Sequence, residues 1–167
     1  MSSSDRRSFL ILVAAAPLAA CGFSPAYGPK GPAQGLRGRI AADAPTTRAD
    51  FAFVSAFENN LGMAPDPAYR LAYQISVQTV QLAVTPEGAI LRYNYIGTVT
   101  YTVTDAATGA VLNQGSASNF TASAATRSTI AAGSSETDAS DRLMVILANM
   151  VITQLLATSK TWVTPAP

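Results

Sequence analysis

Residues 90–104, "ILRYNYIGTVTYTVT", constrain the fold more than any other stretch. Leu91, Tyr93, Tyr95, Val99, Tyr101 and Val103 alternate with Arg92, Asn94, Thr98, Thr100, Thr102 and Thr104. A period of two held this long marks a strand with one apolar and one wet face. Such a strand needs paired neighbours and an apolar layer over its inner side. The flanking sequence supplies neighbours. Tyr69, Leu71, Tyr73, Ile75 and Val77 share one parity, while Val80, Leu82 and Val84 take the other, which predicts a bulge or twist near Gln78 and Thr79. "TPEG" at 85–88 reads as a turn and "DAATG" at 105–109 as a hairpin loop. "AVLNQGSASNFTAS" then returns as the third strand of an antiparallel meander. "LRGRIA" at 36–41 alternates weakly and adds a short first strand.

Two helices supply the covering layer. Thr47 and Asp50 have capping-box spacing, Phe53, Val54, Phe57 and Leu61 fall on one face, and Gly62 stands where a left-handed C-terminal residue is wanted. The prolines of "MAPDPA" stop that helix from continuing. Residues 124–135 are small and hydroxylated and read as a loop. Ser135 and Asp138 repeat the capping spacing and open a second helix running to about Ser159. Its inner stripe is Leu143, Ile146, Leu147, Met150 and Leu155. Met144, Val145, Val151, Ile152 and Leu156 carry apolar surface round most of its circumference and are the candidate contacts for a partner. The strongly apolar part is shorter than the roughly twenty residues of a membrane span and holds Asn149 and Gln154. The expected fold is therefore α+β: a two-layer sandwich of an about four-stranded, mostly antiparallel sheet packed on two helices, in the order β-α-β-β-β-α.

The start of the chain carries a different message. Arg6 and Arg7 precede the apolar run Phe9 to Ala16, and small residues lead to Cys21, the order of an export signal. Leu18-Ala19-Ala20-Cys21 resembles the lipobox of bacterial lipoproteins, whose cysteine thiol takes diacylglycerol and whose mature N-terminus adds palmitate. A buried, core-forming cysteine is the competing reading, and the Gly- and Pro-rich surroundings offer it no core. "DRRSFL" resembles a twin-arginine export motif, but paired arginines also open ordinary signals, so the export route stays open. The expected division is a signal peptide at 1–20, a lipidated Gly/Pro-rich tether at 21–35, one domain at 36–160 and a flexible tail at 161–167.

The chemistry that is missing narrows the function. Of 167 residues none is histidine and one is cysteine, which withdraws the usual triads and zinc sites. Glu136, Asp138 and Asp141 fit a helix N-terminus, where acidic residues suit the macrodipole. Asp66, Glu87 and Asp105 fall in turns, and no G-x-S-x-G elbow occurs. No catalytic residue, metal site or cofactor is expected, and the protein is not expected to be an enzyme. Without residues 1–20 the basic and acidic side chains are equal in number. A wholesale basic field for nucleic acid is therefore absent. Arg92 leads the wet face of the best strand, where a guanidinium can pair with a phosphate, though a solvated charge that guards a sheet edge is the better-supported reading of the residue alone.

Taken in order, these features resemble the LPS-assembly lipoprotein LptE family in its alphaproteobacterial form: a lipobox followed at once by "CGFSPAYG", a tether, a helix ending "FENNLG", then "YRLAYQISV", a tyrosine-rich hairpin and a C-terminal helix. The resemblance spans nearly the whole chain, and Cys21-Gly22-Phe23 with Pro25 and Tyr27 is its sharpest motif. It implies a small α/β sandwich on the periplasmic side of the outer membrane, lipid-anchored through Cys21. It also implies a large outer-membrane β-barrel partner (LptD-like) that the domain plugs, and a part in delivering lipopolysaccharide. Gly22 is not the aspartate associated with inner-membrane retention. "TPEG" offers no basic side chain for a phosphate, which leaves Arg92 and Arg127 as candidate lipopolysaccharide contacts. The alternatives are a solitary lipoprotein module that binds lipid or peptidoglycan, and a tethered hydrolase.

Overall fold

The computed structural model describes residues 28, 31–84, 90–125 and 129–163. Strand β1 (Ile40–Ala42) leads into helix α1 (Arg48–Leu61), followed by β2 (Tyr69–Val84), β3 (Ile90–Asp105), β4 (Val111–Ala124) and helix α2 (Thr129–Thr158). The sheet order is β1-β2-β3-β4. β1 lies parallel to β2, and the other pairings are antiparallel. The four-stranded mixed sheet with two helices on one face is the architecture the sequence implies.

Local chemistry explains α1 well. The Thr47 hydroxyl accepts from the Asp50 N–H at 3.1 Å, while the Asp50 carboxylate accepts from the Thr47 N–H at 2.9 Å. The box thereby satisfies donors that a helix start leaves open. Phe53, Val54, Ala56, Phe57 and Leu61 are buried. Gly62 ends the helix at φ 79°, a value few side chains tolerate. Its ψ of 154° sends the chain out extended rather than left-handed helical.

α1 lies over the β1/β2 half of the sheet, with Phe53 5.0 Å from the Tyr73 ring. α2 lies over β3 and β4, and Gly97 makes room for it: a Cβ there would sit 2.9 Å from both Leu143 Cδ2 and Leu147 Cδ1. The two helices also pack on each other. Arg48 reaches Asp141 at 2.9 Å, and Asn60 Nδ2 donates to Asn149 Oδ1 at 3.2 Å. Leu36, Ile40, Phe53, Phe57, Leu71, Val99, Val103, Leu143, Leu147 and Leu155 fill the space between the layers. Apolar area removed from water there is the main stabilising term.

Four expectations need correction. β2 pairs with β3 in unbroken register from Tyr69↔Asp105 to Val84↔Ile90, so there is no bulge at Gln78 and Thr79; the register shift lies between Val103 and Thr104, opposite β4. The parity change is a change of face: the apolar residues move outward where the helices no longer cover the inner side, and residues 76–82 are all exposed. Second, α2 begins at Thr129, not Ser135. Ala131 and Ala132 favour helix, and the cost of Gly133 and Ser134 is small enough for the long helix to extend over them even though the stretch buries little. Glu136, Asp138 and Asp141 therefore lie inside the helix rather than at its start. Third, part of the tether belongs to the domain: Pro32–Gly35 form a 3-10 turn, and Ala33 and Leu36 are buried. Fourth, the tail is not loose at its start. Trp162 packs edge-on to Tyr69 with centroids 5.5 Å apart, and Val163 lies against Gly35. The "TPEG" turn lies outside the described residues.

The first and last described segments thus meet at the Tyr69/Asp105 end of the sheet. The Val84/Ile90 end, called distal below, is remote from both.

Candidate functional site

Burial rewrites the list of candidate contacts on α2. Met144, Val151, Ile152 and Leu156 are buried inside the domain, and only Val145, 44% exposed, faces solvent. The correction has a simple cause. A helix apolar nearly all round has two neighbours here, the sheet and α1, and between them they cover four of these five side chains. By length and composition α2 would pass for a membrane span, yet half of its most apolar window is buried in the fold.

The apolar surface left over is elsewhere. In register, Gln78, Ile96 and Phe120 form one row across the outer face, Val80, Asn94 and Ala122 the next, and Leu82, Arg92 and Ala124 the third. Val80, Leu82, Ile96 and Phe120 are exposed, Phe120 to 58%. They form a patch on the wet side of the distal sheet, with the exposed guanidinium of Arg92 beside Leu82 in the pairing. Apolar side chains grouped on an exposed face in this way are of the kind that contact with a protein or a lipid would cover. Sequence reasoning missed it, although the parity switch after Val77 was its signal. Arg127 and Cys21 lie outside the described residues.

Nearer the folded-in end, the outer face turns polar and shallow. Ala72, Gln74, Thr100, Thr102, Gln114 and Ser116 line an open hollow of about 630 Å3. Beneath it on the inner side, Tyr101 lies across Gly115, where a Cβ would come within 2.6 Å of its Oη. The Tyr101 hydroxyl donates to Gln154 Oε1 at 2.9 Å, and burial raises its pKa. A second hollow of about 350 Å3 lies between α1 and β2, lined among others by Asp43, Thr46, Asp50, Tyr73 and Val77. Burial, with smaller contributions from the Asp50 and Asp43 charges, pushes Tyr73 up to about 12, so its hydroxyl stays protonated. Burial also pushes Asp50 up, but hydrogen bonds from Thr46 and Thr47 outweigh it and leave the carboxyl below its ordinary value. These groups offer hydrogen bonds and fixed charge at neutral pH, with no proton donor or acceptor poised near pH 7.

No protein-family model matches the sequence, and no curated protein matches it. Solved structures do match the fold. A protein from Caulobacter crescentus assigned as a lipoprotein superposes with a TM-score of 0.66 at 20% identity, covering 80% of this chain and 98% of its own. Rare lipoprotein B from Shewanella oneidensis gives 0.56 at 13% identity, covering 73% and 95%. A minor lipoprotein from Acinetobacter baumannii gives 0.53 at 12%, covering 77% and 95%. At such identities the likeness is one of fold.

Proposed function

We propose that this chain is a lipoprotein held through Cys21 at the periplasmic side of the outer membrane, where it seats in and helps organise a large β-barrel that delivers lipopolysaccharide. The reading rests chiefly on one conjunction: the domain that follows a lipobox-like Cys21 has the fold of three proteins described as lipoproteins. The distal outer-face patch supports it, because Val80, Leu82, Ile96 and Phe120 give a barrel wall or an acyl chain something to bury. Arg92 is the described cation placed to meet a phosphate there, and Arg127 is its companion candidate. The role is that of a fitted surface, with no catalytic step.

Extraction of the tagged full chain in mild detergent, followed by mass spectrometry, tests the reading. An outer-membrane β-barrel should co-purify, and a Leu82→Ser/Phe120→Ser double variant should recover severalfold less of it at unchanged thermal midpoint. Cys21→Ser should release the protein from membranes with its fold intact. Reproducible absence of a barrel would instead favour a solitary module for lipid or peptidoglycan.

A further inference from the structure

The sheet has two edges, and the chain treats them differently. Along β4, side chains occupy backbone groups that point away from β3. Gln154 Nε2 donates to the Ser116 carbonyl at 3.1 Å, and Arg142 Nη2 to the Ala122 carbonyl at 3.5 Å. Between them the Phe120 N–H donates to Asn119 Oδ1 at 2.7 Å. A strand whose outward groups are used in this way is a poor template for another chain.

β2 has no such cover. Among the described residues its outward groups are met only at the start, where the Tyr69 N–H donates to the Arg39 carbonyl and the Leu71 carbonyl accepts from the Asp43 N–H. β1 ends at Ala42, opposite Leu71. Among the described residues, no backbone group meets this side of β2 from Tyr73 onward. The devices that usually blunt an edge are missing too, since "LAYQISVQTVQLAV", residues 71–84, contains no charged residue, proline or glycine. Ile75, Val77, Thr79 and Gln81 share the outward-pointing parity of Tyr69 and Leu71.

Beside this edge lies the hollow of about 350 Å3 between α1 and β2. The Tyr73 hydroxyl is buried there without a hydrogen-bond partner. Asp43 and Asp50 are the charged residues in its lining, and no basic residue lines it. Arg48, next in the chain to the lining residues Thr47 and Ala49, pairs with Asp141, and Arg39 meets the Gly35 carbonyl and the Tyr69 ring.

We propose that β2, from Ile75 to Gln81, accepts an extended segment of another protein by strand addition, and that a lysine or arginine of that segment enters the hollow beside Asp43 and Tyr73. Main-chain bonds to the edge supply affinity irrespective of sequence, and the acidic hollow supplies selectivity. From Leu71 to Val84 a second copy of β2 has no basic residue to offer, and Arg70 lies at the start of the strand, opposite Ala41 of β1. The proposal stands apart from the function proposed above, and either can fail without the other.

Because Gln78 shares a row with Ile96 and Phe120, the test uses the full chain carrying Leu82→Ser and Phe120→Ser in its own membranes, places a photo-crosslinking residue at Gln78 on β2 or at Gln114 on β4, and sequences the attached peptide. Adducts at Gln78 should exceed those at Gln114 by about tenfold, and the attached segment should be a strand containing lysine or arginine. Thr79→Pro, at an exposed position of the same outward parity, removes an N–H that faces away from β3, so it should lower the adduct yield with little change in thermal midpoint. Asp43→Lys should lower it as well. Equal yields at the two edges, no adduct at Gln78, attachment to a second copy of this chain, or attachment to a helical or wholly uncharged segment would each overturn the proposal.

Discussion

Thr47 shows how much one side chain settles. Its hydroxyl and the Asp50 carboxylate close the N-terminus of α1 from both sides. Thr47→Ala should cost about 1 kcal/mol in chemical denaturation, with Thr47→Ser restoring most of it. Asp105 works similarly in the β3–β4 hairpin, where Thr108, through its N–H and hydroxyl, and the Ala107 N–H hold its carboxyl below the ordinary value. Asp50 is also lowered in the folded state. Both therefore add stability that is present above the unfolded carboxylate value of about 4 and is lost as pH falls through their folded values. Denaturant midpoints measured from pH 7 down to pH 2 should fall on this limb, and an Asp50→Asn/Asp105→Asn double variant should flatten it. These roles were legible because capping and turn signals are local: the residues that bond are three apart in the sequence. The pairing of Tyr101 with Gln154 was not, since it depends on two elements meeting across the fold.

At the scale of elements, type and order were legible and surroundings were not. Periodicity identifies the residues that turn inward together, as it did for Phe53, Phe57 and Leu61 on α1. It does not say how many neighbours a helix will have. α2 looked overly apolar because a single sheet would hide only one side of it; a second helix hides another. The corrected assignment has a measurable consequence. Met144→Ala should cost about 2–5 kcal/mol, because the side chain is wholly buried. Val145→Ser should change stability by less than about 0.5 kcal/mol. Comparable costs at the two positions would contradict the packing described for α2. The same limit explains the supposed bulge. A parity change reports which face is apolar, and whether the strand kinks or its cover ends is decided by elements distant in sequence.

For the whole molecule, closure depends on both ends of the described chain. Leu36 is buried beneath the sheet, Val163 lies against Gly35, and Trp162 meets Tyr69, whose ring also receives Arg39 at 5.4 Å. Truncation after Thr161 should therefore lower stability by about 2 kcal/mol, the order expected for uncovering one large and one small apolar side chain. Unfolding monitored by circular dichroism reads this directly, and an unchanged midpoint would show the tail to be dispensable.

The long β2–β3 ladder also acts as a ruler. Sixteen residues of extended strand reach roughly 50 Å, and the chain enters the domain at the foot of that length while its greasy outer patch sits near the top. The ten residues from Cys21 to Lys30 stretch to no more than about 35 Å. With the anchor proposed at Cys21, a domain moored by its foot on so short a line would carry that patch either across the thickness of the membrane, within an enclosing wall, or well out into the aqueous space, and which way it leans would decide what it touches.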